Sequence, residues 1–152
     1  MLTWTLETHI YSVYIWVMIT SNRKGQIAVS KAQVRAIELG FNPCIPVMDC
    51  RYDLVLDDGK KLWRVQVKYA DGKATHTSGS VIVKLEYNDR THHSYTYTRE
   101  EIDALVVYIP KIGKLCWLSP EVYVGKKRLH IRIERPMNNQ RNKVILASDY
   151  FW

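Results

Sequence analysis

The sequence predicts a single α+β domain, on three observations. One long helical pattern near the start is followed by a succession of short strands. Turn residues punctuate those strands at close intervals. No internal repeat, low-complexity tract or linker divides the chain. With 152 residues, 47% of them hydrophobic, there is enough apolar material for one real core.

The helical pattern covers residues 24–39. Ser21 or Asn22 is placed to cap its start, and Gly40 to end it in a left-handed conformation. Ile27, Val34 and Ile37 are expected to face the core, with alanines filling close contacts. Strands follow. Residues 43–48 are apolar but hold two prolines, which predicts a short or edge strand. Residues 53–57 form a second strand, and Asp58-Gly59 signals a hairpin turn into a third at residues 61–70. Residues 80–87 read as a fourth. Thr98 and Glu101 match a capping box, which predicts a short helix there. Residues 104–109 (ALVVYI) read as a fully buried strand stopped by Pro110, and 114–118 pair with it across Gly113. Residues 129–135 alternate apolar and polar, and 144–152 turn apolar again after a polar stretch.

Charge and cysteines narrow the partners. The formal net charge is +7, which suits nucleic acid, because Lys and Arg that neutralise phosphates release condensed counterions. Cys44, Cys50 and Cys116 make neither a disulfide framework nor a zinc spacing. They read as ordinary core thiols of a reducing, cytoplasmic compartment. The apolar run at residues 10–19 (IYSVYIWVMI) is too short to span a bilayer and lacks the flanks of a signal peptide, so no membrane partner is expected. Residues 1–20 are read as an N-terminal extension and 21–152 as the domain.

The chemistry is concentrated in residues 63–69, WRVQVKY. Side chains alternate across a strand, so Arg64, Gln66 and Lys68 share one face while Val65 and Val67 share the other. The Asp58-Gly59 turn folds the preceding strand alongside and brings Asp53 to the Gln66–Lys68 face. A carboxylate, an amide oxygen and an ammonium then converge. A hard divalent cation takes oxygen ligands, often only one or two from protein, with water completing the shell. Asp53 is the expected anchor, with Gln66 and the carbonyl of Val67 as further metal ligands. Lys68 is placed to steady negative charge as it develops on phosphate. Asp53, Gln66 and Lys68 are the candidate catalytic residues.

These pieces, with NRKGQIAVSKAQ (22–33), RYDLVLDDG (51–59), LWRVQVKYADG (62–72), EEIDALVVYIP (100–110) and the terminal Asp149-Tyr150, resemble a bacterial family of PD-(D/E)XK endonucleases. That family is associated with homing of group I introns. The resemblance runs over residues 22–152. It implies a restriction-endonuclease-like core, a central mixed sheet flanked by helices. It also implies Mg²⁺- or Mn²⁺-dependent, sequence-specific hydrolysis of double-stranded DNA. Two departures stand out. Gln66 holds the place of the usual second acid. Ala28 and Val29 stand where many members carry a first-helix glutamate. A catalytically silent DNA-binding protein is therefore a second reading, and a resolvase or restriction-type nuclease a third.

The expected DNA contacts are Arg23 and Lys24 at the helix start, Lys73 after the catalytic strand, and Arg90 in the following polar loop. Lys126, Lys127 and Arg128 form a basic turn, and Asn138, Asn139, Gln140 and Arg141 a segment rich in base-reading side chains. A long recognition site exceeds one domain of this size, so a dimer or tetramer is expected, with the N-terminal run and Tyr150, Phe151 and Trp152 as contact patches.

Overall fold

The computed structural model describes residues 20–73, 79–88, 91, 93–134 and 144–152. The apolar run at 10–19, Arg90 and the 138–141 segment lie outside the described residues. A long helix, α1 (Ser21–Glu38), opens the described chain. Thr20, rather than Ser21 or Asn22, caps it. Its hydroxyl accepts from the Arg23 N–H at 3.4 Å. Gly40 adopts φ 85° just past the end, a conformation that costs a glycine little.

Helix α1 packs by its alanines. Ala28, Ala32 and Ala36 are fully buried, whereas Ile27, Val34 and Ile37 are 37%, 57% and 61% exposed. The expected core face is thus corrected by roughly half a turn, to the opposite side of the helix. Small side chains let the helix backbone approach the sheet closely, and the larger branched residues are turned outward.

Below α1 lies a five-stranded mixed sheet in the order β1-β2-β3-β8-β9. Its strands are β1 (Asn42–Cys44), β2 (Leu54–Asp57), β3 (Leu62–Tyr69), β8 (Ala104–Ile109) and β9 (Lys114–Leu118). β1 is the short edge strand that its prolines demand, and residues 45–48 leave the sheet. β2 and β3 are antiparallel across the Asp58-Gly59 turn, with Gly59 at φ 81°. β3 and β8 are parallel, with Gln66 opposite Leu105 and Lys68 opposite Val107. β8 is buried along almost its whole length, as its unbroken apolar run predicts.

A four-stranded sheet continues from the end of β3. β4 (Gly72–Lys73) pairs with β5 (Ser80–Lys84), then come β10 (Arg128–Arg132) and β11 (Ile145–Leu146). Gly72 is needed at this seam, because a Cβ there would stand 2.9 Å from the Ile82 carbonyl oxygen. A small ribbon of β6 (Tyr87–Asn88) and β7 (Ser94–Tyr95) precedes β8. A four-residue helix, α2 (Pro120–Tyr123), and a terminal 3-10 turn (Ala147–Tyr150) complete the chain.

The capping box at Thr98 forms a turn rather than the expected helix. Glu101 Oε2 accepts the Thr98 N–H at 3.0 Å, but the chain enters β8 at once. The motif's local bond is made while the buried strand overrides helix propagation.

The central sheet separates two cores. On the α1 side lie Leu54, Leu56, Val65, Val67, Ala104 and Val106. On the other side, Leu105, Val107, Ile109 and Cys116 meet Val81, Val83, Leu129 and Ile131 of the second sheet. One face is therefore covered by a long helix and the other by the second sheet. Trp63, Trp117 and Trp152 form a partly buried aromatic cluster, with Trp63 and Trp117 edge to face at 5.9 Å. Cys116 is a core thiol as expected, pushed up to about 11 by burial. Cys44 and Cys50 are exposed, so the expectation of core thiols fails for these two.

Candidate active site

Asp53, Gln66 and Lys68 converge. The residue before β2 extends the β2–β3 ladder by one step. The Asp53 N–H donates to the Val65 carbonyl at 2.9 Å. That pairing sets Asp53 beside Gln66, on the side of the sheet shared with Leu105 and Val107. Asp53 Oδ2 accepts from Gln66 Nε2 at 2.6 Å and from the Val67 N–H at 2.8 Å. Gln66 is the one buried polar side chain among the described residues, at 8% exposure. Its amide also donates to the Val67 carbonyl at 3.2 Å. In this arrangement Gln66 presents nitrogen, not oxygen, to the two oxygens expected to hold a metal. An amide flip would present its oxygen.

The charges in this group are poorly compensated. Burial raises the Asp53 carboxyl above its usual value, against the lowering effects of the Val67 N–H and the Lys68 ammonium. Burial likewise lowers Lys68, against Asp53. Each group is pushed toward its neutral form even though the partner of opposite charge is present. Perturbation of that kind gathers at functional sites.

The group opens into a pocket of about 800 Å³ between the start of α1, the start of β2 and the end of β3. Lys24 and Asp71 flank the mouth and form an ion pair across it. Asp49 also lines it, from the loop before β2. Sequence reasoning missed Asp49 and Asp71. Neither sits in a periodic pattern, and both reach the pocket through loop geometry.

The donor set fits a hard divalent cation. One carboxylate, one main-chain carbonyl and one amide lie together, and the carboxylate is desolvated and short of positive charge. Among the described residues, no group of three or more His, Cys, Asp or Glu side chains gathers to hold a metal. Ala28, at the first-helix position where an acid would face a metal, is fully buried between α1 and the sheet. A cation here would have Asp53 as its nearest anionic ligand and would need phosphate or water for much of its shell.

The other candidates are dispersed. Lys24 lines the pocket, while Arg23 faces a groove on α1 beside Ile27 and Val34. Lys73 lies on β4. Lys126, Lys127 and Arg128 are exposed at the start of β10, away from the pocket lining, with Lys127 Nζ 3.4 Å from Glu86 Oε1. No helix among the described residues is long and apolar enough to cross a membrane.

The family model described as PD-(D/E)XK endonuclease matches residues 19–152. Among solved structures, the bacterial homing endonuclease I-Ssp6803I superposes with a TM-score of 0.70 at 24% identity, over 87% of this chain and 88% of that one. That likeness shows a shared fold. MepB aligns at 14% identity over 91% of this chain and 87% of its own, with a TM-score of 0.40. A search of curated proteins finds no match. The family model spans nearly the whole described chain and both halves of the Asp53 and Gln66-Val67-Lys68 constellation, so the chain belongs to the PD-(D/E)XK endonuclease family.

Proposed function

We propose that this nuclease is a metal-dependent, sequence-specific endonuclease of the homing type, acting on double-stranded DNA through Asp53, Gln66 and Lys68. The observation that carries the reading is the convergence of a desolvated carboxylate and a desolvated ammonium at one pocket, with a buried amide hydrogen-bonded to the carboxylate. Mg²⁺ or Mn²⁺ would be held by Asp53, the Val67 carbonyl and, after an amide flip, Gln66. When bound, such an ion supplies Lewis-acid charge at phosphate and makes water more acidic.

The chain's own groups do the rest. Asp53 orients what binds beside it, because its Oδ2 is fixed by two hydrogen bonds. Lys68 offers a cation in a low-dielectric recess, where it stabilises charge growing on the phosphate oxygens more than it would in water. Lys24 at the pocket mouth can exchange Asp71 for a DNA phosphate. The basic net charge steers the duplex in. Cutting both strands of a long site calls for a dimer or tetramer.

The test is to incubate the protein with bacterial genomic DNA and Mg²⁺, and to ligate and sequence the new ends. Recurrent ends that vanish with Lys68→Ala support the reading. Ends unchanged by Lys68→Ala overturn it. The silent DNA-binding reading is favoured by one observation, the Gln66 N–H groups directed at Asp53 Oδ2 and the Val67 carbonyl. Salt-sensitive duplex binding without any new ends would select it.

A further inference from the structure

The hydrolytic reading leaves one contact of Lys68 unused. Its Nζ lies 5.1 Å from the centroid of the Tyr97 ring, and Tyr97 is only 5% exposed. An ammonium within about 6 Å of an aromatic face is attracted by the ring's quadrupole, and more strongly where water is excluded. Lysine otherwise ends a flexible four-carbon stem that can point several ways.

The ring is itself held. Tyr87 packs against Tyr97 with centroids 5.2 Å apart. The Tyr87 hydroxyl donates to Glu101 Oε1 at 2.7 Å. The Arg51 guanidinium lies 4.0 Å over the Tyr87 ring, and its Nε is 3.8 Å from the same carboxylate oxygen. The other Glu101 oxygen accepts the Thr98 N–H, which fixes the backbone immediately after Tyr97. A continuous chain of contacts thus runs from Glu101 through Tyr87 and Tyr97 to Lys68.

We propose that Tyr97 is a positioning residue for Lys68: its ring face seats the ammonium beside Asp53, and the Arg51–Glu101–Tyr87 assembly holds that ring in place. The inference rests on the hydrolytic role given to Lys68 above. A side chain that must meet a reacting phosphate tolerates little misplacement, so a fixed aromatic seat raises the fraction of time the ammonium is aligned.

The experiment compares Tyr97→Phe, Tyr97→Leu and Lys68→Ala with the parent. Single-turnover cleavage in Mg²⁺ is measured on a duplex the parent cuts, with duplex affinity in Ca²⁺ and thermal melting alongside. Tyr97→Leu is expected to slow cleavage by roughly tenfold or more with affinity unchanged. Tyr97→Phe keeps the ring face and is expected to recover most of that loss. If Tyr97→Leu does not fold, Tyr97→Met makes the same comparison with an apolar chain of closer length. Cleavage at the parental rate in the Leu or Met variant overturns the proposal. So does a Phe variant as slow as Leu, or a loss that appears only in affinity. A Lys68→Ala protein that cuts like the parent would instead overturn the hydrolytic reading itself, whatever the Tyr97 variants do.

Discussion

Strand β3 carries two lysine or arginine side chains on one face, Arg64 in a close ion pair with Asp103 and Lys68 in the field of Asp53, and the two behave in opposite ways. At its start, Arg64 meets Asp103 in a matched pair. Arg64 Nε and its backbone N–H both donate to Asp103 Oδ2, at 3.0 and 2.8 Å, and the guanidinium also donates to the Glu100 carbonyl. The bond to Asp103 raises Arg64 above its usual value. Burial pushes Asp103 up, but Arg64 and Lys61 override it and the carboxyl sits below its usual range. Four residues on, Asp53 and Lys68 shift the other way, toward neutrality. One pair is built to stay charged and hold β3 against the turn before β8. The other is left short of compensation, which costs stability and suits a site that takes up a cation and a phosphate.

The contrast predicts different losses at the two ends. Lys68→Ala should reduce cleavage by on the order of 10²-fold or more, measured in single turnover, because it removes a preorganised cation from the reacting phosphate. Its melting temperature should move less than that of Asp103→Asn, because the substitution also removes a desolvated charge.

Asp103→Asn should cost about 1.5–3 kcal/mol of stability at neutral pH, the range for hydrogen bonds to charged groups. Urea unfolding at pH 7 checks this, and the cleavage rate of the folded fraction should be unchanged. The pH dependence follows from the sign of the shift. The folded-state pKa of Asp103 is depressed, so its contribution is complete above the unfolded carboxyl value near 3.9 and is lost as pH falls through the folded value. The stability gap between the parent and Asp103→Asn should therefore close in strong acid.

A second contrast, which includes the smallest expected effect, lies on α1. Ala32→Leu should destabilise by about 1–3 kcal/mol through overpacking under the helix. Val34→Lys should change stability by no more than about 0.5 kcal/mol, because Val34 faces outward. Equal effects would return the larger side chains to the core.

The site was more legible in the sequence than the helix was. A strand's period of two fixes which residues share a face, and the Asp58-Gly59 turn fixes the hairpin, so Asp53, Gln66 and Lys68 could be brought together on paper. Large apolar residues predict the opposite helix face, whereas backbone proximity to the sheet selects Ala28, Ala32 and Ala36. The Thr98 box was read as a helix start, although the local bond it forms is compatible with a single turn. Tyr97, Asp49 and Asp71 reach the site by tertiary packing of loops, and no local pattern marks them. The orientation of the Gln66 amide depends on which neighbours need a donor, and that too is settled only in three dimensions.

The two ends of β3 should therefore differ in cation binding, with an ion taken up at Asp53 and none at the structural Asp103 end. Binding of Mn²⁺ to the protein, followed by electron paramagnetic resonance with and without duplex DNA, tests this difference most directly. A bound ion is expected, lost in Asp53→Asn and retained in Asp103→Asn. Binding that survives Asp53→Asn, or no binding to the parent even with duplex present, would contradict it.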